Sequence, residues 1–182
     1  MKDEGSPGGL KDGFMLTAGF ASAQIIFHPV YQSQSTFRYL GSQKLNGRDT
    51  NVIAYAQRPA TALIHGIFKS GENELMTFSQ GLAWVDSETY QIVRLRSDLL
   101  RPLPELRLKR QTTDIDFSEV HFNRPPDAFW LPQHVTVTVD WNGHLLRNEH
   151  QYSEYKLFSV DSRQKFGKVY TAGEVTKQPL TP

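Results

Sequence analysis

Six histidines and a group of carboxylates are the residues of this chain that most invite a metal-binding or catalytic reading. The histidines are His28, His65, His121, His134, His144 and His150. No two of them have the His-Glu-x-x-His spacing that puts a pair of imidazoles on one helical face for zinc. A metal would have to be gathered across strands, and the nearest pair, His134 and His150, falls on adjacent rungs and opposite faces. No metal site is expected. Asp114 and Asp116, with Glu119, offer an acid–base pair in principle. Asp114 and Asp116 share a strand face opposite Ile115 and Phe117, which is the pattern of a solvated strand. There is no Gly-x-Ser-x-Gly elbow, no phosphate loop and no Gly-x-Gly-x-x-Gly after a strand. Gly5-Ser6-Pro7-Gly8-Gly9 has the composition of a flexible lead. No residue is expected to be catalytic and no cofactor is expected, so the chain reads as a non-enzyme.

The elements that would position any site come from a chain of 182 residues, enough for one domain with a real core. Cysteine is absent, which removes disulfides, thiolate zinc sites and cysteine nucleophiles. Twenty Lys+Arg against nineteen Asp+Glu leave a formal charge of +1 with no charged block, so no nucleic-acid partner is expected. The most apolar stretch, Phe14 to Phe27, is too short and too polar to span a bilayer. Ala21-Ser22-Ala23 follows an apolar run in the manner of a signal-peptidase site. However, Asp3, Glu4 and Asp12 precede it, where a signal needs a basic, acid-poor start. The expectation is that any export signal has been removed and that the numbering begins inside a longer precursor.

Residues 1–13 read as a flexible lead, 14–165 as a single β-rich domain, and 166–182 as a polar tail. A helix is expected from about Phe14 to Ala23, then a short strand from Gln24 to His28 that stops at Pro29. Asn46-Gly47 predicts a hairpin between Thr36–Leu45 and Arg48–Gln57. With Leu45 opposite Arg48, Phe37 and Tyr39 share a face with Val52, Ala54 and Ala56. Knob-and-gap packing and a concave surface are both compatible with that pairing. A turn at Ser87-Glu88 places Leu82, Trp84, Val93 and Leu95 on one face. Pro102 and Pro104 interrupt pairing between Leu99 and Leu106. A long strand from Leu106 to Phe122 changes apolar phase, from Ile115 and Phe117 to Val120 and Phe122, which predicts a bulge near Ser118-Glu119. The clearest hairpin is the last. Val135, Val137, Val139 and Trp141 alternate without a fault, Asn142-Gly143 turns, and the return strand runs from His144 to about Val160. Val139 then faces Leu146, Val137 faces Asn148 and Val135 faces His150, whose imidazole must find a partner or reach solvent. On the other side Thr138 faces Arg147, with Asp140 one diagonal step away as an ion-pair partner.

The segment Gly81-Leu82-Ala83-Trp84-Val85-Asp86-Ser87-Glu88-Thr89-Tyr90-Gln91-Ile92-Val93-Arg94-Leu95 resembles a hairpin of bacterial outer-membrane lipoprotein carriers and related exported proteins of soil bacteria. Phe129-Trp130-Leu131-Pro132 before a long final hairpin is similar to the downstream order of that family, and the likeness spans roughly Phe37 to Val160. It implies a strongly curved antiparallel sheet or half-open β-barrel with few short helices, its concave face taking a lipid or other apolar ligand beneath a helical lid. Phe37, Tyr39, Leu82, Trp84, Val93, Leu95, Val137, Val139 and Trp141 are the candidate lining residues, though burial in an ordinary core explains each equally well. The initial helix and first strands of a complete carrier are not seen, so the chain is expected to be the C-terminal part of a longer protein. A periplasmic or secreted location and a possible protein partner in the cell envelope complete the expectation. The alternative is an interaction or structural module of a larger exported protein.

Overall fold

Alternating residues joined by tight turns build a mainly β protein, and the computed structural model describes residues 13–14, 20–122 and 128–156. The strands are β1 (Gly13–Phe14), β2 (Ser35–Leu45), β3 (Arg48–Gln57), β4 (Gly66–Ser70) and β5 (Asn73–Thr77). They continue with β6 (Ser79–Asp86), β7 (Ile92–Leu99), β8 (Leu108–His121), β9 (Ala128–Trp141) and β10 (His144–Gln151). Seven form one antiparallel sheet in the order β10-β9-β8-β7-β6-β3-β2, and β1, β4 and β5 form a smaller one in the order β1-β4-β5. Among the described residues the large sheet is open at both ends and is neither closed nor strongly curled.

The last hairpin has the expected register: Leu146 lies opposite Val139, Asn148 opposite Val137 and His150 opposite Val135. Val135, Val137, Val139 and Trp141 are buried on what we call the inner face. Thr138 faces Arg147 as expected, but Arg147 bridges to Glu149 at 2.6 Å rather than to Asp140. The strand β10 ends at Gln151, short of the expected Val160, which lies outside the described residues, as do the tail and residues 1–12 of the lead.

The other hairpins depart from the expected registers because of bulges and, in β6 and β7, a longer loop from Ser87 to Tyr90, closed by the Asp86 N–H on the Gln91 carbonyl at 2.9 Å. In β2 and β3, Leu45 does face Arg48, but the pairing slips between Tyr39 and Gly41. Phe37 and Tyr39 therefore lie opposite Tyr55 and Ile53, not on the face of Val52, Ala54 and Ala56. Gly41 carries the bulge at φ +116°, where a side chain is strained, and open space surrounds its would-be Cβ. Gly41→Ala is accordingly expected to cost about 1–2 kcal/mol, all of it conformational, in urea unfolding. In β6 and β7 a slip beside Val85 pairs Ala83 with Leu95 and Trp84 with Arg94. Leu82 and Trp84 thus stand on the outer face, opposite Arg96 and Arg94, while Leu95 is inside. The phase change in β8 has its bulge earlier than Ser118-Glu119, between Asp116 and Phe117, and the extra residue is Gln133 on β9.

The expected Phe14–Ala23 helix is displaced, and residues 15–19 of it lie outside the described set. A 3-10 helix, here called the cover helix, occupies Phe20–Phe27 and takes in most of the segment expected as the strand Gln24–His28. Three residues per turn bring Phe20, Ala23 and Ile26 to one side, and these pack on the core together with Phe27. Phe68 of β4 reaches the same core, its ring 6.3 Å from that of Trp141. Leu103 and Leu106 close the end near Trp141, whose indole Nε1 donates to the Leu106 carbonyl at 2.9 Å. No helix among the described residues is long and apolar enough to cross a membrane.

Candidate functional site

The inner face of the large sheet is banded. One row crosses the strands as Tyr39, Ile53, Ala83, Leu95, Ile115, Val135 and His150, and from Ile53 to Val135 it is wholly apolar. Two residues along each strand, the next row runs Phe37, Tyr55, Gly81, Ser97, Thr113, Val137 and Asn148. Its centre is polar. A cleft of about 250 Å³ opens over this second row. Ser22, Ala23, Ile25 and Ile26 of the cover helix form one wall, and Ile64, His65, Gly66, Thr77 and Phe78 form the other. Tyr55, Leu95, Ser97, Leu99, Gln111 and Thr113 make the floor.

Hydrogen bonds hold one end of the cleft in shape. Gln57, buried, donates through Nε2 to the Ile64 carbonyl at 2.6 Å. Its Oε1 accepts from the Ser79 backbone N–H at 2.7 Å and from the Ser79 hydroxyl at 3.1 Å. That ties β3, the segment before β4, and β6 together. The Tyr55 hydroxyl lies 3.5 Å from Ser79 Oγ. Burial pushes its pKa up, opposed by hydrogen bonds to Ser79 and Ser97 and assisted by the charge of Asp98, so it stays a neutral hydroxyl. Asp98 also lines the cleft, but its carboxylate is taken by Arg96 at 3.2 Å and the Thr112 hydroxyl at 2.6 Å. Gln111 and Thr113, half-buried, make no side-chain hydrogen bond to other described residues.

No family model, curated protein or solved structure matches this chain.

Of the nine residues proposed from sequence, Leu95 alone lines the cleft. Val137, Val139 and Trp141 share its face but are buried in the packed core. Val93 is buried at the β7 bulge. Phe37 packs at a tilt against Phe27 of the cover helix, 5.5 Å between rings, and Tyr39, 60% exposed, turns its hydroxyl to Ser42 at 3.0 Å. Leu82 and Trp84 belong to the outer face. There the Trp84 indole donates to Gln43 at 3.1 Å and the Arg94 guanidinium sits 5.6 Å above its ring. Asp114 and Asp116 also stand outside, 3.8 Å from Arg96 and 3.6 Å from Arg94. His134 and His150 lie on opposite faces, and among the described residues no group of three His, Asp or Glu side chains could hold a metal.

The polar floor was missed. Ser97, Gln111 and Thr113 occupy inward positions of strands whose register the bulges conceal. The one usable signal is that Ser97 and Thr113 lie two residues from Leu95 and Ile115, in the apolar phase. His150, flagged by sequence, sits at the end of the apolar row with its ring 5.3 Å from Phe20 and stacked at 6.2 Å on Tyr152. Its Nε2 is buried with no hydrogen-bond partner among the described residues.

Proposed function

We propose that this chain is a non-enzymatic exported protein that binds or carries a small apolar or lipidic ligand in the cleft beneath the cover helix. The observation that carries the reading is the cleft itself. It has apolar walls from Ile25, Ile26, Ile64 and Phe78 and a floor that combines Leu95 and Leu99 with hydrogen-bonding groups. Apolar lining with a few placed polar groups is the usual composition of a small-molecule site. In this reading the open sheet and its cover serve as the half-open barrel of a carrier. The likeness of the Trp84 hairpin to lipoprotein carriers supports it, as does a helix lying over one sheet face. A periplasmic or secreted location follows from the same reading.

The volume limits the cargo. About 250 Å³ is just under the ~300 Å³ at which ligand pockets usually begin. The cleft suits one short chain or ring, not a multiply acylated anchor. Native mass spectrometry of the freshly purified chain is expected to show a small adduct. Thr113→Trp, which fills the floor, should remove the adduct and weaken binding of added octyl compounds by about tenfold or more, roughly 1.4 kcal/mol. Absence of both adduct and octyl-chain binding in the folded parent protein would remove the reading.

The interaction-module alternative draws on β2, an edge strand with Phe37, Tyr39 and Leu40 at 38%, 60% and 51% exposure. Unpaired backbone beside exposed aromatics is the raw material of strand addition. A chain that stays monomeric in light scattering and captures no envelope protein would argue against it.

A further inference from the structure

Resting on the binding reading above, we propose that the cleft selects ligands whose polar end is uncharged: an alcohol, ester or glycerol-type head on a short apolar chain. The inference comes from what lines the floor and what does not. Ser97, Thr113 and Gln111 present two hydroxyls and an amide there, beside the buried Tyr55 hydroxyl. These groups both donate and accept, which matches a neutral head. The side chains of Thr113 and Gln111 are without partners among the described residues, so a ligand hydroxyl or ester would take up capacity that the protein leaves open.

Charge balance points the same way. No Lys or Arg is among the described lining residues, so a buried carboxylate or phosphate would find no cation. Moving such an anion out of water without a partner is costly, and it would neutralise or stay outside instead. A cationic head fares little better. The one lining carboxylate, Asp98, already accepts from Arg96 and Thr112. His65, the remaining titratable lining residue apart from Tyr55, is exposed at the rim. A neutral head meets hydrogen bonds at little desolvation cost, whereas either charged head meets the same groups but loses its hydration with no opposite charge to offset it.

The test compares four octyl compounds against the full chain at pH 8 by titration calorimetry: 1-octanol, mono-octanoylglycerol, octanoate and octylammonium. The expected result is that the two neutral compounds bind at least tenfold tighter than the two ions. Thr113→Val, which keeps shape but removes the hydroxyl, should lower 1-octanol affinity several-fold while leaving octanoate unchanged. Octanoate or octylammonium binding as tightly as 1-octanol would overturn the neutral-head inference and leave the binding reading standing. Failure of all four to bind, with the protein folded by circular dichroism, would overturn the binding reading and this inference with it.

Discussion

Gly81→Ala should destabilise the protein by about 3–5 kcal/mol, a large part of the ~5–15 kcal/mol that holds a domain of this size. A Cβ at this position would stand 1.9 Å from the Arg96 carbonyl oxygen, 2.9 Å from its carbon and 3.1 Å from Ser97 Cα. All three are backbone atoms of β7, which is paired on its far side with β8. They cannot move aside as a side chain does, so β6 and β7 would have to separate in the middle of the sheet. Gly66 is the internal control. A Cβ there would come 2.3 Å from Thr77 Oγ1, a side-chain hydroxyl that can rotate away. Gly66→Ala is therefore expected to cost under about 1 kcal/mol despite a nominally severe clash. Urea unfolding followed by tryptophan emission compares the two. Equal midpoints would mean that the close β6–β7 approach does not set the cost.

The same residues show why some of the architecture was legible and some was not. Val135, Val137, Val139 and Trp141 alternate up to an Asn-Gly turn, so one register alone buries all four, and that hairpin could be paired residue by residue. Asn46-Gly47 is an equally good turn signal and Ser87-Glu88 a weaker one, and both of these hairpins contain a bulge. One inserted residue moves every later side chain to the other face. Leu40 beside Gly41 turned Phe37 and Tyr39 toward Tyr55 and Ile53, and Val93 separated Trp84 from Leu95. Nothing in the composition near Val93 marks the insertion. The small hairpin of β4 and β5 was not anticipated because Ile67-Phe68 and Leu75-Met76 place apolar residues side by side, which erases the two-residue period. The cover helix is hard to place from sequence because its core contacts, Phe20, Ala23, Ile26 and Phe27, follow no single period, and its second half reads equally as a short apolar strand. The candidate cleft suffered most. Its polar floor is visible only once Tyr55, Gly81, Ser97 and Thr113 are known to be neighbours, and that adjacency depends on the two bulged registers.

Asp86, by contrast, was part of a pattern the sequence displays, and its removal should be costly. The residue ends β6 with its side chain buried, 4% exposed. One carboxylate oxygen accepts the backbone N–H groups of Glu88 at 3.0 Å and Thr89 at 2.9 Å, and the other accepts from Arg48 at 3.0 Å. The carboxylate thus closes the turn between β6 and β7 and ties it to the start of β3. Asp86→Ala leaves two turn N–H groups and Arg48 without their acceptor, and about 2–3 kcal/mol is the expected loss. Arg48 is 43% exposed and can turn to water, which keeps the figure below that for a fully buried pair. Asp86→Asn retains an acceptor for the turn and loses only the charge, so roughly half that loss is expected. The pH dependence separates the two roles. The Thr89 N–H above all, opposed by burial and helped by Arg48 and the Glu88 N–H, holds the Asp86 carboxyl down at about 2. A carboxyl whose folded pKa lies below its unfolded one stabilises fully above the unfolded value, near 4, and loses that contribution as pH falls through the folded one. Between pH 4 and pH 2 the stability gap between the parent chain and Asp86→Asn should therefore narrow. A gap that stayed constant through that window would place the turn's strength in hydrogen-bond geometry alone and not in the charge.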